Sequence, residues 1–233
     1  MAGLPHHLHE FPTRQDLAQA LSDAITARLS AGIATRGEAT IAVSGGTTPA
    51  LLFETLSRAD LDWSRVSVTL VDERFVEPSS PRSNEGLVRN KLLQGAAASA
   101  RFVPLYRPAP DAPDALRHSE AELERLRWPA DVVVLGMGTD GHTASFFPDA
   151  PSLPQLLQPG QGGLLRLVDS PSAGETRLTL SIDPITSARF LALHIEGPEK
   201  REVLRSVLEG RANPPIRAVI AHSATPVEIY WAP

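Results

Sequence analysis

The chain has no cysteine. That absence rules out structural disulfides, thiolate nucleophiles and cysteine-ligated metals, and it removes any need for an oxidising compartment. No stretch approaches the roughly 18 consecutive apolar residues that a membrane span needs, and the N-terminal "MAGLPHHLHEFPTRQ" has neither a basic nor an apolar leader segment. Blocks of like charge are also missing, and the formal net charge is −5, so nothing favours general attraction to nucleic acid or anionic lipid. A cytoplasmic protein without nucleic-acid or membrane partners is expected, and an anionic ligand would have to be held by particular cations. Lysine is scarce too: of 22 basic residues only Lys91 and Lys200 are lysines. Codon usage explains such a ratio, but it draws attention to each lysine that is kept.

What is present is the composition of an ordinary globular protein. A chain of 233 residues, 42% hydrophobic and 21% charged, can bury a core without staples. Residues 14–31 place Leu17, Leu21, Ile25 and Leu29 at spacing four, which predicts an amphipathic helix. Short apolar runs follow, "TIAVSGG" (40–46), "VSVTLVDE" (66–73) and "DVVVLGMG" (131–138), with helical stretches near 49–58, 84–94 and 113–126 between them. This alternation predicts an α/β fold with a mostly parallel, Rossmann-like doubly wound sheet and helices on both faces. Further strands are predicted at 164–169, 177–182, 190–195, 218–222 and 227–231, a smaller β-rich portion of the second half, with one helix at 198–209. No composition break divides the chain, so residues 1–233 are read as one domain. Ligands of such sheets bind beyond the carboxyl ends of the strands.

Three strand ends carry unusual chemistry. In "AVSGGTTPALLF", Thr48 is the expected helix N-cap and Pro49 the first helical residue. Gly45 and Gly46 permit close backbone approach, and with Ser44 and Thr47 the helix start suits a phosphate; a plain strand-to-helix turn uses the same residue types. In "VDERF", Asp72 can accept hydrogen bonds from sugar hydroxyls and Arg74 can bind phosphate oxygens; a surface ion pair at a strand terminus is the structural alternative. Ser83 or Asn84 is expected to cap the following helix, with Arg82 and Arg89 solvated.

The third end, "GMGTDGHTAS", spells Gly-x-Gly-x-x-Gly through Gly136, Gly138 and Gly141. A dinucleotide site needs a helix directly behind that turn and an acidic residue about 20 positions on. Pro148, Pro151 and Pro154 oppose the helix, and residues 150–168 contain no Asp or Glu. The remaining reading is His142 as a general base in a glycine-lined loop, with Asp140 orienting the imidazole, binding substrate, or merely forming the turn. His6, His7 and His9 lack a metal-ligand framework and are expected to be solvated. Lys200, in the first turn of the helix opened by Gly197 and Pro198, opposes the helix dipole unless both hold an anion.

In order and spacing, "SGGTTP", "VDERFVEPSSPRSN", "GMGTDGHTASFFP", "TRLTLS" and "GPEKREVL" resemble the 6-phosphogluconolactonases of the pentose phosphate pathway. The resemblance implies hydrolysis of 6-phospho-D-glucono-1,5-lactone without metal or organic cofactor, by one sugar-phosphate lactonase domain that is a monomer or small homo-oligomer. It implies His142 as the base that activates water, with Asp140 beside it. Ser44, Gly45, Gly46, Thr47, Asp72, Arg74 and Lys200 would bind the phosphorylated sugar. Two alternatives stay open: an amino-sugar-phosphate isomerase/deaminase of the same fold, and a sugar-phosphate sensor without turnover. A covalent route through Ser145 lacks the Gly-x-Ser-x-Gly pattern. The segment "HIEG" before Lys200 and the ending "VEIYWAP" depart from the family pattern.

Overall fold

The structure is a computed structural model that describes residues 3–233. Ten strands occur among the described residues: β1 (His6–Glu10), β2 (Ala39–Val43), β3 (Val66–Leu70), β4 (Asp72–Arg74), β5 (Arg101–Val103), β6 (Val132–Leu135), β7 (Leu165–Val168), β8 (Arg177–Leu180), β9 (Leu191–Glu196) and β10 (Val227–Ala232). The helices are α1 (Arg14–Arg36), α2 (Ala50–Leu56), α3 (Asn84–Lys91), α4 (Ala112–Leu123), α5 (Leu153–Leu156), α6 (Ile182–Thr186), α7 (Pro198–Leu208) and α8 (Pro215–His222).

Seven strands form one sheet in the order β1-β10-β9-β6-β2-β3-β5, and every neighbouring pair is parallel. From β2 the chain first winds outward through β3 and β5, then returns to β6 on the other side of β2. The carboxyl ends of β2 and β6 therefore flank the switch point, where an open α/β sheet leaves a crevice. The central strands are buried at every residue, as "ATIAV" and "VVVL" require when helices cover both faces.

Helix α1 shows how sequence fixes an element. The Thr13 side chain accepts from the Asp16 amide at its start, and Gly37 ends it in a left-handed conformation (φ 83°) with its N–H on the Ile33 carbonyl. Leu17, Leu21, Ile25 and Leu29 are fully buried along one face, each contributing about 1.5–3 kcal/mol. None of the described helices is long and apolar enough to cross a membrane.

Several expectations are corrected. The run "VSVTLVDE" is not one strand. Val71 donates to the Val43 carbonyl in the large sheet and accepts from the Leu180 amide, and beyond it the chain enters a second, antiparallel sheet ordered β4-β8-β7. Residues 218–222 are helical, not a strand: Pro214 and Pro215 open α8, and Ile216, Val219 and Ile220 are buried at helical spacing. Helix α2 starts at Ala50 with Pro49 in the cap position and no side-chain cap, so Thr48 does not serve as expected. The N-terminal histidines are not simply solvated, because they sit in β1, which extends the large sheet, and His7 and His9 both bind Glu228.

Candidate active site

The ends of β2 and β6, the small sheet, the end of β9 and the start of α7 enclose a cleft of about 360 Å³. Ser44, Gly45, Gly46, Thr47, Asp72, Arg74, His142 and Lys200 line it; Asp140 does not, but it touches His142. The sequence separates these residues by up to 156 positions, and the switch point brings them together.

On the β2 side the backbone itself forms the wall. A Cβ on Gly45 would stand 1.9 Å from Asn84 Oδ1, and Gly46 has φ +94°, so neither position accepts a side chain without strain. Ser44 donates its amide to the Val134 carbonyl, and its hydroxyl accepts from the Gly136 amide (3.2 Å), which ties the β2 loop to the β6 loop.

The small sheet supplies the opposite wall. Glu73 is fully buried and accepts four hydrogen bonds, from the amides of Arg74, Asn84 and Glu85 and from the Ser83 hydroxyl. Burial pushes its carboxyl up, and the four donors, three of them at the start of α3 and one the Arg74 amide, oppose the shift. Ser83 also caps α3 through the Gly86 amide. This anchored carboxylate fixes the two flanking residues that face the cleft. Asp72 accepts from Asn84 (3.3 Å) on one oxygen and from the Ser145 hydroxyl (2.7 Å) on the other. Ser145 is fully buried in that bond, an arrangement suited to supporting Asp72 and unsuited to nucleophilic attack.

Arg74 lies directly opposite Arg177 in the β4–β8 pairing, and both line the cleft. Arg74 donates to the Arg82 carbonyl and Arg177 to the Ala173 carbonyl, while both Nε atoms are buried without a partner. Burial and the neighbouring Arg74 charge hold the Arg177 pKa below its ordinary value. Lys200 donates to the Thr48 hydroxyl (3.3 Å), and burial lowers its pKa against the opposing pull of Glu196. All three cations thus hydrogen-bond to uncharged oxygens of the protein. Such a site favours an anion.

The β6 loop is built around His142. Its Nδ1 is 2.6 Å from Asp140 Oδ1, which also accepts the His142 amide (3.1 Å). The Asp140 carboxylate therefore selects the tautomer with the proton on Nδ1 and leaves Nε2 as the acceptor. The Phe147 ring backs the imidazole at 4.7 Å, and Arg177 lies over the same ring at 5.5 Å. A Cβ on Gly138 would stand 2.3 Å from His142 Nδ1, and one on Gly141 (φ +77°) would strike Pro214 at 2.4 Å. Thr143 Oγ1 donates to the Gly136 carbonyl (2.7 Å), and Ala144 holds φ 50°, a strained value for a residue with a side chain. No helix follows the three glycines before the four-residue α5, which removes the dinucleotide reading on structural grounds.

Sequence reasoning missed Arg177, Asn84, Phe147 and His194, all of which line the cleft. Arg177 lies within the quoted "TRLTLS", but its importance comes from the register that sets it against Arg74. His194 falls in a predicted strand and in the "HIEG" segment that departs from the family pattern, and neither reading gives it a role.

The family model described as glucosamine-6-phosphate isomerases/6-phosphogluconolactonase matches residues 12–231. A curated 6-phosphogluconolactonase of Mesorhizobium japonicum is 52% identical over 231 residues, covering 99% of this chain and 97% of that protein. Its counterpart in Rhizobium meliloti is 49% identical over 229 residues, covering 97% and 99%. A crystal structure of a 6-phosphogluconolactonase from Shewanella baltica superposes over the whole of both chains with a TM-score of 0.94 at 38% identity. The chain belongs to the glucosamine-6-phosphate isomerase/6-phosphogluconolactonase family and is an enzyme of the 6-phosphogluconolactonase type.

Proposed function

We propose that this enzyme hydrolyses 6-phospho-D-glucono-1,5-lactone to 6-phospho-D-gluconate in the cytoplasm, with residues 1–233 acting as one lactonase domain. The observation that carries the reading is His142, oriented by Asp140 at 2.6 Å, in one cleft with three cations that lack a carboxylate partner. The relatives named above bear the same activity in their names.

The chemistry follows from these groups. The loop at 44–48, with Lys200 and the arginine pair, holds the phosphorylated substrate, and that remote binding energy fixes the ring against His142. His142 Nε2 takes a proton from water as the water oxygen bonds to the lactone carbonyl carbon. The carbonyl oxygen gains negative charge, which the cations facing the cleft stabilise. As the intermediate collapses, the bond from that carbon to the ring oxygen breaks, and the imidazolium returns its proton to the departing alkoxide. Asp140 stays ionised and steadies the imidazolium. Asp72, held by Asn84 and Ser145, faces the sugar hydroxyls.

Hydrolysis of freshly generated lactone in the presence of chelator, corrected for spontaneous opening, tests the proposal. Fast turnover by the wild type, with His142→Ala reducing kcat by about a hundredfold or more, is expected from the usual size of general-base catalysis. No acceleration by folded wild type would overturn the substrate, and glucosamine 6-phosphate would be the next one tried. A fully active His142→Ala variant would overturn the role of the histidine alone.

A further inference from the structure

Among the described residues that line the cleft, His194 has no assigned partner or task. It occupies the carboxyl end of β9 on the same face as Phe190 and Ala192, and it is 2% exposed. Neither ring nitrogen makes a hydrogen bond. Glu196 Oε1 lies 3.3 Å from Nε2, within ion-pair distance but without hydrogen-bond geometry, and Glu196 itself faces Arg14 at 3.3 Å. An imidazole buried without a partner is costly, and an aliphatic side chain would fill the same position without that cost. The cost is relieved if a ligand in the cleft completes the hydrogen bond.

The surroundings indicate which part of the ligand that would be. β9 runs through Gly197 directly into α7, whose first turn carries Lys200, and the His194 and Lys200 side chains both line the cleft. Lys200 in turn reaches Thr48 at the glycine loop. His194 therefore lies on the strand that leads to Lys200, and through Lys200 to the glycine loop whose helix start suits a phosphate.

We propose that His194 is a ligand-binding residue of this enzyme, donating a ring N–H to the phosphate of the bound sugar next to Lys200. The proposal rests on the lactonase reading for the identity of the sugar, but not for the phosphate contact itself. The histidine adds a directed donor where the Lys200 ammonium supplies charge.

Ring C–H resonances of the histidines, with His194 identified by its loss in His194→Gln, provide the test. Titration with inorganic phosphate and with 6-phosphogluconate should move the His194 signals, and gluconate, which lacks the phosphate, should leave them in place. In kinetics, His194→Phe should raise KM for the lactone and Kd for 6-phosphogluconate by about tenfold or more while kcat changes little, as expected for one bond to a charged group. His194→Gln, which keeps a donor, should recover part of that loss. Unmoved His194 signals in wild type saturated with 6-phosphogluconate, or wild-type affinity in His194→Phe, would overturn the proposal. If His194→Phe does not fold, the wild-type titration decides alone. A wild type that neither hydrolyses the lactone nor binds 6-phosphogluconate overturns the proposed substrate instead, and the inorganic phosphate titration still judges His194.

Discussion

Two histidine–carboxylate pairs in this molecule have the same 2.6 Å contact and very different settings. In the cleft, His142 uses Nδ1 to meet Asp140 and keeps Nε2 for whatever lies in front of it. At the sheet edge, His9 uses Nε2 to meet Glu228, which also accepts from His7 at 2.9 Å, and the His9 ring lies against Tyr230 at 4.8 Å. The edge pair joins β1 to β10 and helps cover a strand that would otherwise present an open edge. An imidazole beside a carboxylate is thus a common structural joint. It becomes a candidate base only where its second nitrogen faces a cavity lined by groups able to hold a substrate.

Exchanging each carboxylate for an amide separates the two pairs. Asp140→Asn is expected to lower kcat by about a hundredfold, because the amide no longer enforces the Nδ1–H tautomer, while Glu228→Gln should leave kcat unchanged in the same assay. Equal losses, or none in either, would show that the two pairs do not differ as described. Arg177→Met tests the surroundings: losing one bond to a charged ligand should raise KM by about tenfold or somewhat more, with circular dichroism confirming the fold.

A smaller effect concerns Lys200. Burial holds its pKa below the ordinary 10.5, so affinity for 6-phosphogluconate should fall as pH rises through that lowered value, as the ammonium is lost before an exposed lysine would lose its proton. In Lys200→Arg the fall should move to higher pH; an unchanged profile would assign it to another group. The smallest effect belongs to the edge. Burial works upward on the Glu228 carboxyl, but His9 and His7 carry it below the ordinary 4.5. The resulting stability is fully present above pH 4.5 and fades as pH falls through the lowered folded value. Glu228→Gln should therefore cost about 1 kcal/mol or less at neutral pH, and thermal melts of the two proteins should converge in acid.

The sequence revealed most where periodicity and punctuation agree. The apolar runs that became β2 and β6 end in glycines whose backbone forms the cleft wall, and Leu17 to Leu29 marked the buried face of α1 without ambiguity. It misled where a short apolar run has no period of its own: "AVIAH" suits a strand or a buried helix turn equally, and the two prolines before it decided for the helix. Arg177 and His194 were illegible for a different reason. The chemistry of each depends on a partner or the lack of one across a sheet, and register leaves no trace in a single chain. The split of "VSVTLVDE" was hidden likewise, since Val71 looks like any strand valine until both of its backbone bonds are seen.

That valine has a mechanical consequence. Its N–H is fastened to β2 and its carbonyl to β8, so it works as a gauge block between the half of the cleft that carries His142 and the half that carries the arginines. One residue therefore ties the two halves together, through one backbone hydrogen bond on each side. The Ser145 hydroxyl on Asp72 is a second tie across the same gap, so the two walls of the cleft are held as one frame.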